Sequence, residues 1–252
     1  MLKALPITFL TCLGLGCLRG AQPLRFDVAS IHPHSPDDNR FQVHMPTNGQ
    51  FHATSAVAKL VLMLGYDVQE NQIVGGPSWL DSEKWDIEAK SDDRVHTTVE
   101  TRAMLQKMLE ERFGLRAHRD TQSLPAYILT IAKGGPKFKA QPDGRTNYLI
   151  TGNSISLERG DLAHMAQLLS TALGRPVVDR TGLSGIYDLS LKWDDAPIAD
   201  GGLLGLDAPA APENDRGSIF TAIQDQLGLR LESQRAPVDV IVIDQIERPS
   251  AN

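Results

Sequence analysis

Only two cysteines occur in the chain, Cys12 and Cys17, and both stand near its N-terminus. Any processing that removes that end leaves no thiol, which excludes disulfides, thiolate metal ligands and cysteine nucleophiles from the remainder. Positive charge is also short, with 25 Lys and Arg against 31 Asp and Glu and a formal net charge of −6. Phosphate-backbone binding needs clustered basic residues, so nucleic acid is a poor partner. Beyond the N-terminus no apolar run approaches the ~18 residues of a membrane-spanning helix. Several catalytic signatures are missing. There is no Ser-x-x-Lys pair, no His-Glu-x-x-His, no Gly-Lys-Ser or Gly-Lys-Thr phosphate loop and no Gly-x-Gly-x-x-Gly. The phrase "TGLSGI" fails as a nucleophile elbow because Ile186 occupies the last glycine position.

What the N-terminus does carry is Lys3, an apolar run from Ala4 to Leu18, and then small residues. This layout reads as a secretory signal peptide over residues 1–22, interrupted by Pro6 and three glycines and too short to span a bilayer. Cleavage there removes the positive charges of Lys3 and Arg19, taking the net charge from −6 to −8. An alternative keeps Cys17 as a lipid-bearing N-terminus, since "GLGC" loosely follows a lipoprotein box. Either way the mature chain is expected outside the cytoplasm, in the periplasm, at the cell surface or secreted.

The rest says one phrase twice: "RFGLRAHRD" at 112–120 and "QLGLRLESQ" at 226–234. In the first copy Val57, Leu60, Val61 and Leu64 make one helical stripe, then Trp85, Ile87 and Ala89 alternate with polar residues as in a half-buried strand. A second helix carries Met104, Leu105, Met108 and Leu109 on one face. The second copy repeats this order. Leu162, Met165, Leu168 and Leu169 form a stripe that Asp161 can cap and Gly174 can end, and Tyr187, Leu189 and Leu191 then alternate. Two strands close each copy, the last beginning at Pro125 or Pro237. The expected fold class is α+β: two tandem β-α-β-β-α-β-β units in ferredoxin-like split βαβ order, packed together. Residues 23–49 precede them as a strand, an irregular stretch and a second strand at 41–44. The units cover 50–140 and 147–250, and the second holds a loop insertion at 194–217 rich in Asp, Gly, Ala and Pro.

Candidate chemistry is sparse. His32, His34, His44 and His52 lie on neighbouring extended segments where imidazoles can converge on zinc or copper, although the spacing is no compact ligand signature and surface or packing roles compete. "VVDRTGL" reads as a tight turn, with Asp179 and Thr181 side chains bonding backbone amides around Gly182. Trp85 and Tyr187 match between copies and read as core, whereas Trp79 in "GGPSWLD" has no aromatic match and is the candidate recognition residue for a glycan or peptide. No catalytic residue and no cofactor are assigned.

Together "FDVASI", "GGPSWLDSEKWDIEAK", "MLEERFGLRAHRDTQSLPAYILTIAKGGPKF", "GRPVVDRTGLSGIYDLSLKW" and "IFTAIQDQLGLRLESQRAPVDVIVIDQIERPSAN" closely resemble soil-associated exported proteins of uncharacterised function that are expanded in Acidobacteria. The resemblance runs from Phe26 to Asn252 and implies a signal peptide and a stand-alone extracytoplasmic domain. It also implies kinship with domains attached to membrane metallopeptidases of the antibiotic-sensor type. This chain departs from the family phrase after "VASI", reading His-Pro-His where lysine is common. The expected function is a non-catalytic binding or sensing module whose partner is an extracytoplasmic protein or glycan. The alternatives are a cell-wall or polysaccharide hydrolase using paired carboxylates, and a histidine-based metal-binding protein.

Overall fold

A computed structural model describes residues 24–45, 49–91, 95–193 and 217–249. The signal segment with Cys17, and the inserted loop up to residue 216, lie outside the described residues. The architecture is α+β, with strands distributed over three four-stranded sheets.

In the first sheet the order is β1 (Val28–Pro33), β5 (Lys84–Lys90), β3 (Gln50–Val57) and β2 (Gln42–His44), all antiparallel. Its inner face packs on α1 (Ala58–Tyr66) and α3 (Thr98–Arg112), with α2 (Trp79–Ser82) completing the same core. Another sheet has the order β7 (Ala140–Gln141), β11 (Ile186–Lys192), β9 (Ser154–Gly160) and β8 (Asn147–Thr151), again antiparallel. It packs on α4 (Leu162–Leu173) and on α5 (Gly217–Ala222), which continues into a π-helical turn at Ile223–Leu227. The two orders correspond strand for strand, so the N-terminal strands β1 and β2 have counterparts in β7 and β8. The structural correspondence therefore begins ahead of residue 50, the start read from the sequence.

The remaining strands form the middle sheet, in the order β10 (Val177–Asp179), β6 (Arg116–Ile131), β12 (Leu229–Gln245), β4 (Ile73–Val74). Where two strands were expected at the end of each copy, one unbroken strand runs through the proline. Both prolines are accommodated because the ribbon is locally two-stranded there. Pro125 faces Arg235 and Pro237 faces Ser123 on the antiparallel partner, while β10 pairs only with 127–129 of β6 and β4 only with 241–242 of β12. A missing amide can then face an open side.

These long strands exchange ends. Tyr127 and Leu129, from the end of the first copy, lie in the second core with Leu229 and Leu231, whereas Ile243 and Ile246, from the end of the second, lie in the first. Each outer sheet is built from one copy, whereas the middle sheet joins β4 and β6 of the first to β10 and β12 of the second. Asp67 ties the copies together at another point. It ends α1 in the left-handed region, its carboxylate accepts from Arg102 at 2.5 Å, and its carbonyl accepts from Gln167 of α4 at 3.0 Å.

Local signals set the helix ends. Thr97 and Glu100 form a reciprocal capping box on α3, and Asp161 accepts the His164 amide at 2.7 Å to start α4, which Gly174 ends at φ +61°. The repeated glycines Gly114 and Gly228 both adopt positive φ, +58° and +65°, where each closes a helix before its long strand.

A second repeated device is a β-bulge fastened by an aspartate. Ser55 in β3 and Arg159 in β9 are left-handed residues, φ +59° and +51°. Each donates its backbone N–H to an aspartate on the neighbouring strand, Asp86 at 2.9 Å and Asp188 at 2.8 Å. The matching sequence is "WDIEAK" against "YDLSLK". Ser55 is buried and Arg159 exposed, so the two anchors differ in weight. Asp86→Ala is expected to cost about 1–3 kcal/mol by leaving a buried amide unpaired. Asp188→Ala should cost less, because water replaces the carboxylate. Urea unfolding of the two variants checks this, and equal losses would contradict it.

Candidate functional site

Strand parity decides what the first sheet shows to solvent. Ile31, Phe51, Ala53, Trp85, Ile87 and Ala89 point into the core. The alternate positions therefore face outward, and cross-strand register assembles them into rows. Val28, Lys90 and Gln50 make one row. Ser30, Glu88, His52 and His44 make the next, running across all four strands. His32 stands opposite Asp86 in a third. A groove of about 780 Å³ opens on this face, lined in part by Asp27, Ser30, Gln50, His52, Glu88 and Lys90. Phe51 and Ala89 lie beneath it, buried in the core at 1% and 5% exposure.

All four histidines singled out from the sequence attach to this sheet, in different circumstances. His34 is committed. Its Nδ1 lies 2.8 Å from the Asp86 carboxylate and its Nε2 lies 2.6 Å from the Asp38 carbonyl. Neither partner carries a hydrogen, so both bonds form together only when both ring nitrogens are protonated. The Asp38 carbonyl, and then the Asp86 carboxylate, raise the His34 pKa above its ordinary value, with burial opposing them. Arg40 completes the cluster by chelating Asp38, whose carboxyl it holds down to about 2. His32 bonds Ser30 Oγ at 2.8 Å. His52 lies with Nε2 3.1 Å from Thr54 Oγ1 and Nδ1 3.6 Å from Glu88 Oε1. His44 is exposed directly across from it. Among the described residues no group of three His, Cys, Asp or Glu side chains could hold a metal ion.

The His34 geometry gives a pH prediction. A histidine whose pKa is raised on folding stabilises the fold below its unfolded value of about 6.5, and that contribution disappears as pH rises through the higher folded value. Stability should therefore decline over the window above pH 6.5, and His34→Ala should flatten it. An NMR titration of His34 with a midpoint at or below 6.5 would contradict the assignment.

Trp79, the residue marked for recognition, packs into the first core at 7% exposure, with Arg248 5.5 Å above its ring and held there by a bidentate pair with Glu83. It opens α2, a single helical turn in which Trp79 and Leu80 are both buried. Its ring therefore offers little open surface. The Asp179 turn has the geometry its residues suggest. Asp179 accepts the Thr181 amide at 2.8 Å, Thr181 Oγ1 accepts the Leu183 amide at 3.2 Å, and Gly182 has φ +68°.

Carboxylates share two grooves. Asp27 and Glu88 line the one on the first sheet, and Glu158 and Asp188 line a smaller one of about 420 Å³ on the corresponding face of the other outer sheet. Asp188 there already anchors the bulge. The carboxyls of Asp38 and Glu83 are pushed down by arginine partners, the opposite of what a general acid needs.

Sequence reading missed Glu88 as a surface partner of His52. Its alternation with Trp85, Ile87 and Ala89 was visible, but the register that sets Glu88 beside His52 was not.

No helix among the described residues is long and apolar enough to cross a membrane. Neither the curated proteins nor the solved structures include a significant match to this chain. A family model described as a protein of unknown function (DUF3738) matches residues 59–246.

Proposed function

The chain belongs to that family of unknown function, and from this premise we propose that it is a non-catalytic extracytoplasmic binding or sensing module. Its ligand, an extracytoplasmic protein segment or a glycan, seats on the outer face of the first sheet. The observation that supports this most is the groove of about 780 Å³, lined by donors and acceptors from the β1, β3 and β5 segments. The sheet beneath is held by a packed core, so the polar rows are rigidly spaced. Export rests on the N-terminal signal layout and on the resemblance to exported proteins expanded in Acidobacteria. The related domains on sensor-type metallopeptidases suit a sensing role.

Thermal unfolding against peptidoglycan fragments, oligosaccharides and peptides tests the reading. A ligand at a hundred times its dissociation constant adds about 2.7 kcal/mol, a rise of roughly 5 to 10 °C in the midpoint for a chain of this size. The shift should vanish in a Glu88→Ala, Lys90→Ala double variant that melts normally without ligand. A flat panel, or a shift indifferent to that variant, counts against the binding face. N-terminal sequencing of the exported protein, with residues 1–22 absent, checks the location.

A further inference from the structure

We propose that β8 is the docking edge for a second copy of this chain, joined to it strand to strand about a two-fold axis at Leu149. β8 is the end strand of its sheet, in the order β7, β11, β9, β8. Hydrogen-bond direction along it follows from β9. The Asn153 carbonyl accepts the Trp193 amide, on the β11 side. Backbone groups alternate in direction along a strand, so Ser154, Ser156 and Glu158 turn theirs to β8, where Thr151, Leu149 and Asn147 stand opposite them. The N–H and C=O groups of Tyr148 and Ile150 therefore point out of the sheet edge, where no described strand meets them.

The other edges among the described residues are guarded. Arg112 donates to the Ala29 carbonyl of β1 at 2.6 Å, and β2, β4, β7 and β10 are only two or three residues long. The open sides of β6 and β12 carry Arg119, Asp120, Arg230 and Glu232. Capping, brevity and charge are the usual protections of an exposed edge. β8 has none of them. It runs five residues, Asn147–Thr151, without a charge or a proline, and leaves Tyr148 43% and Leu149 60% exposed.

Register chooses the occupant. Two β8 strands set antiparallel about the axis place Leu149 against Leu149 of the other copy, Tyr148 against its Ile150 and Asn147 against its Thr151. Tyr148 and Ile150 then meet as hydrogen-bonded pairs, each exchanging both outward-pointing groups. Leu149 falls at a non-hydrogen-bonded position, where side chains sit closest, and covers its own counterpart. Tyr148 meets a β-branched residue, a favourable cross-strand pair. No charge faces another in this register, which matters for a chain of net charge −6. An extended peptide from another protein fits less well. Strand addition takes its specificity from pockets for alternate side chains, and the groove on this sheet is lined by β9 and β11 residues with none from β8. Pairing uses up the edge in both copies, so it closes at two, and it joins two four-stranded sheets into one.

Sedimentation velocity of the exported protein over roughly 1 μM to 1 mM, the range of small and transient contacts, tests this. The mass should double with concentration and stop there. Leu149→Lys sets like charges face to face across the axis and should weaken association by about tenfold or more, as should Leu149→Glu. An equimolar mixture of the two variants should dimerise again, because opposite charges then meet at the axis. Only a residue that faces itself gives that rescue. Leu149 is mostly exposed, so both variants should melt at low concentration as the parent protein does, which separates loss of docking from loss of fold. A monomer at every concentration overturns the proposal and leaves the edge to a strand of another protein. Dimers undiminished in Leu149→Lys, a mixture that stays monomeric, or assembly beyond two copies overturn it as well.

Discussion

Gly228→Ala is expected to destabilise the protein by about 2–5 kcal/mol, while the same change at Gly114 should cost about 1–2 kcal/mol. Both glycines sit in the left-handed region, and that conformation alone costs an L-residue about 1–2 kcal/mol. Their surroundings differ. A Cβ at Gly228 would lie 2.0 Å from the Gly135 carbonyl oxygen, whereas at Gly114 its nearest neighbours are side-chain atoms of Glu247 at 3.9–4.0 Å. The backbone around residues 132–137 cannot withdraw freely, since Ala132 and Lys137 donate amides to the carbonyls of Gly228 and Leu227. Forcing it adds roughly 1–3 kcal/mol of overpacking strain. In a chain of this size the midpoint should fall by roughly 4–20 °C for Gly228→Ala and by roughly 2–8 °C for Gly114→Ala. Equal losses in calorimetry would mean that the close approach to Gly135 is wrong.

The second large effect concerns cooperativity. Leu109→Ala in the first core and Leu169→Ala in the second, both fully buried, should each cost about 2–5 kcal/mol. Each should also move a single unfolding transition rather than splitting it in two. Separate cores on separate segments would melt separately, but here each core contains the end of the other copy's long strand. Melting either one frees a strand the other needs. Tryptophan emission reports mainly on the first core through Trp79 and Trp85, with Trp193 in the second, and far-ultraviolet circular dichroism reports on both. Coincident curves from the two probes are the expected result, with the calorimetric and van't Hoff enthalpies equal. Two resolved transitions in either variant would refute the exchange as the source of coupling.

Much of the local structure was legible. The Met104–Leu109 and Leu162–Leu169 stripes, the Asp161 and Gly174 boundaries, the alternations around Trp85 and Tyr187 and the left-handed glycines of the repeated phrase all follow from short-range rules. The joining of two strands across Pro125 was not. A proline argues against an interior strand only where both sides are paired, and which sides are paired is decided by β10 and β4, far along the chain. The exchange is invisible for the same reason, because alternation says which face is apolar and not which core it meets. The Gly-Gly-Pro turn before Trp79 reads as surface, whereas the structure packs Trp79 and Leu80 into the first core. The histidines stood out by type alone. Which of them bond, and to what, required hydrogen-bond partners that no spacing rule supplies.

The exchanged strand ends also fix the order in which this protein can be completed as it is made. The first core contains Phe26 and Ile31 from the beginning of the chain and Ile243 and Ile246 from its end. A growing chain must therefore carry the earlier residues without a finished interior until almost the last one has joined. Ring closure over such a span is slow, which lengthens the time the polypeptide remains extended.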